Sequence, residues 1–209
     1  GKYIYASGGN DNRIIKYSVS NNKLEGVDTI IIGKPWPERI SITGLAVDES
    51  AKKLYTVTKE NNSLYVTDLQ QKKVLSQHPL GGEGYTCILS PDKKTLYISC
   101  WGCDKVILFD TRLQKITGNI PVGDNPNDMC ITSNGKYLFV ANANDNNVSV
   151  IDCKKLSVIE TLNSALYPDA LCGSTTNSVA LSSDEKTLYI ANADNNCLAV
   201  FDEIGRAHV

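Results

Sequence analysis

Tyr137-Leu138-Phe139-Val140-Ala141-Asn142-Ala143-Asn144-Asp145-Asn146-Asn147-Val148-Ser149-Val150-Ile151-Asp152 is the stretch whose reading decides the fold. Two apolar runs flank a cluster of Asn and Asp, residues that tolerate the left-handed backbone of a tight turn, so the stretch reads as two strands joined by a hairpin. Its opening, Lys136-Tyr137-Leu138-Phe139, has counterparts in Lys2-Tyr3-Ile4-Tyr5, Lys52-Lys53-Leu54-Tyr55, Lys94-Thr95-Leu96-Tyr97 and Lys186-Thr187-Leu188-Tyr189. The final aromatic residues are spaced by 50, 42, 42 and 50 residues, and a second anchor follows 12 residues after each, at Tyr17, Thr67, Phe109, Ile151 and Phe201. A fixed period of that length, filled only by short strands, is the signature of β-propeller blades.

Working outward, one copy reads as four strands: Gly44 to Val47, Leu54 to Thr58, Ser63 to Asp68 and Lys73 to His78. Across copies the first strand keeps Leu45 and Val47, Cys87 and Leu89, Met129 and Ile131, and Val179 and Leu181 on one side. Ala46, Ile88, Cys130 and Ala180 occupy the other. With both faces apolar, each sheet is expected to be covered on both sides. The first copy starts at its second strand and the last stops after its third, which gives 18 strands and an expected incomplete propeller of about four to five blades. The blade repeats lie near 1–40, 41–83, 84–125, 126–176 and 177–202. Residues 203–209 leave the repeat and read as translated sequencing adapter, a non-native tail set aside from the fold.

The 209 residues, 42% of them hydrophobic, suffice for a sizeable core, and a net charge of −2 argues against nucleic acid or an anionic membrane surface as partner. No apolar run approaches the roughly 20 residues of a membrane helix. Of seven cysteines, Cys87 and Cys130 sit inside apolar strands and read as small hydrophobes. Cys100 and Cys103, the one close pair, read first as unpaired structural thiols, with a local disulfide and a metal or redox site as the alternatives. Without the tail, His78 is the single histidine, and it falls in an outermost strand as a surface residue. No Gly-rich phosphate loop, HExxH or GxSxG is present. Neither catalytic residues, a metal site nor a cofactor is predicted.

The Asn/Asp clusters at 9–13, 142–147 and 192–196 lack the spaced carboxylates and distal Glu of a calcium loop and read as hairpin turns. Asp68, Asp110, Asp152 and Asp202 close the third strand in four of the five copies, with Ser18 in the first, and a carboxylate there can accept the next backbone N–H groups. Strand direction alternates, so inter-blade connections and second-to-third-strand turns share one edge of the blades. That edge collects the candidate binding residues Trp36, Arg39, Glu83, Tyr85, Trp101, Tyr167 and Asp169, together with two long inserts, 33–41 and 163–177. The opposite edge collects lysines, among them Lys53, Lys94, Lys154 and Lys186, and reads as a solvated surface.

The strand–turn–strand segments 137–152 and 187–202, with the connector Gly123-Asp124-Asn125-Pro126, resemble the YVTN family of bacterial β-propeller repeats. The resemblance covers residues 1–202 and implies a seven-bladed propeller that is exported, periplasmic or secreted. The insert Tyr167 to Ser178 is similar to a subgroup whose propeller precedes an alkaline-phosphatase-like phosphoesterase domain, which implies a fused or associated phosphoesterase as partner. The expected function is a non-catalytic scaffold or binding module that presents its loop-rich face to a small ligand, a partner protein or a fused phosphoesterase domain. The alternative is a propeller-type lactonase or other hydrolase with its site around the central channel.

Overall fold

The structure, a computed structural model, describes residues 2–167, 171–173 and 175–202. The chain is all-β and forms two compact units, Gly1–Cys87 and Ile88–Val209. In the first unit, β1 (Tyr3–Ser7), β2 (Arg13–Ser20) and β3 (Lys23–Ile31) form a three-stranded sheet, and β4 (Ile42–Asp48), β5 (Lys53–Thr58), β6 (Ser63–Asp68) and β7 (Lys73–Pro79) a four-stranded one. β8 (Gly84–Leu89) crosses the unit boundary and joins β9 (Thr95–Cys100), β10 (Lys105–Asp110) and β11 (Lys115–Pro121) in the third sheet. The fourth holds β12 (Pro126–Ile131), β13 (Tyr137–Asn142), β14 (Asn147–Asp152) and β15 (Ser157–Asn163), and the fifth β16 (Thr176–Leu181), β17 (Thr187–Asn192) and β18 (Cys197–Asp202). Neighbouring strands within a sheet follow each other in the chain and pair antiparallel, the meander of a propeller blade.

The repeat extends to backbone detail. The residue closing each second-to-third-strand turn, Asn12, Asn62, Asp104, Asn146 or Asn196, is left-handed, with φ between 49° and 54°. Asn and Asp occupy these positions because their short polar side chains lower the cost of that conformation. Asp68, Asp110 and Asp152 each accept two backbone N–H groups two and three residues on, at 2.7–2.9 Å. A register shift interrupts the third-to-fourth-strand pairing at one repeat position, between Lys16 and Tyr17, Val66 and Thr67, Leu108 and Phe109, and Val150 and Ile151. A bulge there bends the strand and increases its twist, so each sheet is shaped alike.

Alternation then sorts side chains between neighbouring sheets. In the second unit Leu138, Val140, Ile151 and Met129 pack on one side of the fourth sheet against Tyr97, Val106, Leu108 and Ile120 of the third. Phe139, Val148 and Val150 pack on the other side against Val179, Leu188 and Ile190 of the fifth. The one-residue offset between Leu138 and Phe139 selects the core each enters. In the first unit Ile14, Ile30, Leu54 and Tyr65 share a third core. First strands of adjacent sheets run close together: a Cβ on Gly44 of β4 would lie 2.7 Å from the Thr86 Cα of β8.

Cys100 and Cys103 correct the first reading of free thiols. They form a disulfide, because the one-turn 3-10 segment Trp101–Cys103 folds their Cα atoms to 5.4 Å apart. Cys87 and Cys130 do behave as small hydrophobes, and burial pushes both thiols up to about 12.

Candidate functional site

The left-handed Asn residues do more than turn the chain. Asn12 is fully buried and donates from Nδ2 to the carbonyls of Lys34 and Glu38, both at 2.6 Å, while its Oδ1 accepts the Ile40 N–H at 3.0 Å. One carboxamide thereby fastens both limbs of the first insert. At the tip, Trp36 is 71% exposed, and the Arg39 guanidinium stacks 4.5 Å from its ring centroid. The pair presents a flat apolar surface beside a cation, the residue types that dominate binding energy in interfaces.

Asn146 repeats the device in the second unit. It donates to the Leu171 carbonyl at 2.8 Å and accepts the Gly173 N–H at 3.0 Å, so the second insert is held by the turn before it. Tyr167 lies exposed in that insert, and Asp169 lies outside the described residues. At the equivalent turn of the third sheet, Asp104 accepts the Asn125 N–H at 3.1 Å, and Asn125 Nδ2 donates to the Trp101 carbonyl at 2.8 Å. The disulfide closes the same turn, so Trp101 sits on a loop braced from both sides.

The remaining predicted residues fall on the first unit. Glu83 forms an ion pair with Lys59 at 3.3 Å, and the Lys59 N–H donates to Ser41, which links a turn to the connections on either side of it. Tyr85 is a partly exposed residue of β8. Trp36 and Arg39 are therefore in contact, Glu83 and Tyr85 lie on the following connection and strand, and Trp101 and Tyr167 belong to the second unit.

Sequence reasoning passed over Asn12, Asp104, Asn125 and Asn146 as binding-loop determinants. Their signal was available: positions 12, 62, 104, 146 and 196 carry the same spacing as the aromatic anchors. It also missed a polar seam between two first strands. Ser178 Oγ donates to Asp128 Oδ2 at 2.5 Å, and Asn127 Nδ2 donates to Asn177 Oδ1 at 3.1 Å.

On the opposite edge, Lys52, Lys94 and Lys155 pair with the nearby Glu49, Asp92 and Asp152, and all three lysines are solvent-exposed along much of their length. Hydrogen bonds from Lys94 and Ser90 hold the Asp92 carboxyl at about 2. A cavity of about 350 Å³ opens there beside Ser90, Asp92, Tyr97, Asn134 and Cys153. Burial raises the Cys153 thiol above its ordinary value, so it stays protonated and is a poor nucleophile at neutral pH. His78 is half-buried on β7, its Nε2 2.9 Å from Ser76 Oγ, and burial lowers its pKa so that the ring is neutral. Among the described residues no group of three or more His, Cys, Asp or Glu is placed to hold a metal ion, and no helix is long and apolar enough to cross a membrane.

A family model described as "Lactonase, 7-bladed beta-propeller" matches residues 47–163 and 87–205. Among curated proteins the chain is similar to Antigen Lp49 of Leptospira interrogans, 28% identical over 64% of this chain and 31% of that protein. It is also similar to the uncharacterized protein YncE of Salmonella typhi, 32% identical over 60% of this chain and 36% of that protein. The chain thus spans about a third of the length of the curated relatives it matches. Among solved structures, hydrazine synthase of Kuenenia stuttgartiensis shares the fold, with a TM-score of 0.75 at 22% identity over 91% of this chain and 52% of that one.

Proposed function

The chain belongs to the seven-bladed β-propeller lactonase family, and from that premise we propose that these blades serve as a non-catalytic binding module, presenting the edge of turns and inter-blade connections to a partner protein or domain. The observation that carries the reading is the use made of polar residues on that edge. Asn12, Asp104, Asn125 and Asn146 are spent on fastening loops. What those loops hold out is Trp36 stacked with Arg39, Trp101 and Tyr167. A rigid blade carrying braced loops with aromatic tips suits recognition, because the loops lose little entropy on docking.

The partner is an associated or fused phosphoesterase domain, a reading that rests on the resemblance of the second insert to propellers of that arrangement. Export to an oxidising compartment is part of the same proposal, supported by the Cys100–Cys103 disulfide. The family description favours a second reading, lactone hydrolysis around the central channel. Against it, His78 is the only histidine before residue 203 and sits on an outer strand, paired with Leu64.

The test uses the complete gene product, assayed with lactone and phosphomonoester substrates with and without divalent metal, beside calorimetric titration of the blades with the separately produced partner domain. Trp101→Ala and Tyr167→Ala are each expected to weaken docking by about 1 to 3 kcal/mol, with Lys53→Ala and Lys94→Ala near neutral. Trp101→Ala keeps the backbone carbonyl that Asn125 uses, so the loop stays braced. Docking that survives both aromatic changes but fails with the lysine ones would refute the binding edge. Lactone turnover by the complete protein would favour the second reading.

A further inference from the structure

One gap between neighbouring sheets is filled by side chains, and its counterpart one repeat earlier is left open. Pro91, Thr95 and Tyr97 of the third sheet correspond in the repeat to Ser133, Tyr137 and Phe139 of the fourth, and Gly135 of the fourth corresponds to Glu185 of the fifth. Between the fourth and fifth sheets the gap is filled. Tyr137 packs against the shared core, and the Glu185 carboxylate accepts the Ser133 N–H at 2.6 Å and the Ser133 hydroxyl at 3.1 Å. Between the third and fourth sheets Pro91 and Gly135 make the same approach, a Cβ on the glycine lying 3.3 Å from Pro91 Cδ. Here Thr95 stands in place of the tyrosine and Gly135 in place of the glutamate. One phenol ring and one carboxylate are therefore missing, and the cavity of about 350 Å³ lies between the two residues that replace them.

We propose that this cavity binds a small aromatic carboxylate of the size of benzoate or 4-hydroxybenzoate, its ring taking the space that Tyr137 fills in the next contact. Every lining residue belongs to the second unit, and the volume is at the small end of ligand sites, which span about 300 to 1,000 Å³. Pro91, Thr95 and Tyr97 offer the surface for the ring. The polar lining decides the charge of the ligand. Asp92 is already neutralised: Lys94 Nζ pairs with it at 2.9 Å, and Ser90 Oγ and the Lys94 N–H donate to it at 2.7 and 3.1 Å. Asn134 Oδ1 is likewise taken, by Thr132 Oγ1 at 2.8 Å and the Lys136 N–H at 2.9 Å. Asn134 Nδ2 and the Lys154 ammonium meet no acceptor among the described residues. The groups left over are donors, one of them cationic, which suits a carboxylate. Pro91 has no N–H to give, unlike Ser133, so these fourth-sheet donors carry the recognition.

The test titrates the 209-residue chain by calorimetry with benzoate, 4-hydroxybenzoate and the oppositely charged benzylamine, and follows iodoacetamide labelling of each cysteine by peptide mass spectrometry. Cys153 lines the cavity, so an occupant slows its labelling and leaves that of the exposed Cys172 unchanged. Saturable binding of both carboxylates is expected, with benzylamine inert. Thr95→Tyr restores the ring of the next contact and is expected to weaken binding at least about tenfold. Lys154→Gln removes an exposed charge and is expected to weaken it about two- to fivefold. Circular dichroism checks the fold, and should Thr95→Tyr not fold, Thr95→Leu narrows the same space. No saturation with either carboxylate, equal binding of benzylamine, affinity indifferent to the Thr95 substitution, or binding that leaves Cys153 labelling unchanged would each overturn the proposal.

Discussion

Asn12 is where a single side chain decides the shape of a binding loop, and replacing it separates the forces involved. Asn12→Gly keeps the left-handed backbone, φ 54°, and removes all three side-chain hydrogen bonds. At about 1 kcal/mol net each, they set a ceiling near 3 kcal/mol. Water can replace the donor at the Lys34 and Glu38 carbonyls once the exposed insert loosens, but the buried Ile40 N–H loses its acceptor. A loss of about 1 to 2 kcal/mol is expected for Asn12→Gly. Asn12→Ala adds the cost of a Cβ in the left-handed region, about 1 to 2 kcal/mol more. The assay is urea unfolding followed by circular dichroism, with Trp36 fluorescence read in a Trp101→Phe background. The emission of Trp36 should change below the main transition, since its loop is released first. Equal stability of the glycine variant and the parent chain, with unaltered Trp36 emission, would refute the fastening role. So would an alanine variant no worse than the glycine one.

Three further outcomes follow from the packing and the titrating groups. Burial holds the His78 pKa below its ordinary value of 6.5, so the unfolded chain binds more protons as pH falls below that value. Stability should therefore decline from neutral pH through the folded pKa, and His78→Gln should flatten that slope in pH-dependent melting curves. Gly44→Ala should cost about 1 to 3 kcal/mol in denaturant unfolding, because the new methyl meets the Thr86 backbone, which cannot turn aside. Replacing Cys100 and Cys103 by Ser should cost about 1 to 3 kcal/mol without loss of secondary structure, and thiol titration of the unreduced parent should find neither cysteine reactive.

How much was legible depends on how local the cause is. The Asn/Asp clusters announced their turns because left-handed geometry is a property of single residues, and Asp68, Asp110 and Asp152 announced theirs because the bonded N–H groups lie two and three residues away. The fastening of the inserts was not legible. Asn12 reaches the Glu38 carbonyl 26 residues on, and Asn146 reaches Leu171 25 residues on, across loops whose path no local pattern specifies. The Cys100–Cys103 bond was hidden for a related reason: the spacing allows free thiols and a disulfide alike, and the 3-10 turn chooses between them.

Tyr97 and Tyr189 mark the boundary most sharply. Each ends an identical Lys-Thr-Leu-Tyr run, each lies on the second strand of its sheet, and each points to the side opposite the leucine before it. The sequence by itself determined that much, because strand alternation and turn chemistry act within a few residues. Yet Tyr97 is buried at 3% exposure and Tyr189 is open at 38%. Leu138 and Val140 of the fourth sheet cover the first, and no described sheet covers the second. Burial is a property of two surfaces meeting, so only the tertiary structure could show which of the two tyrosines a neighbouring sheet of this chain covers.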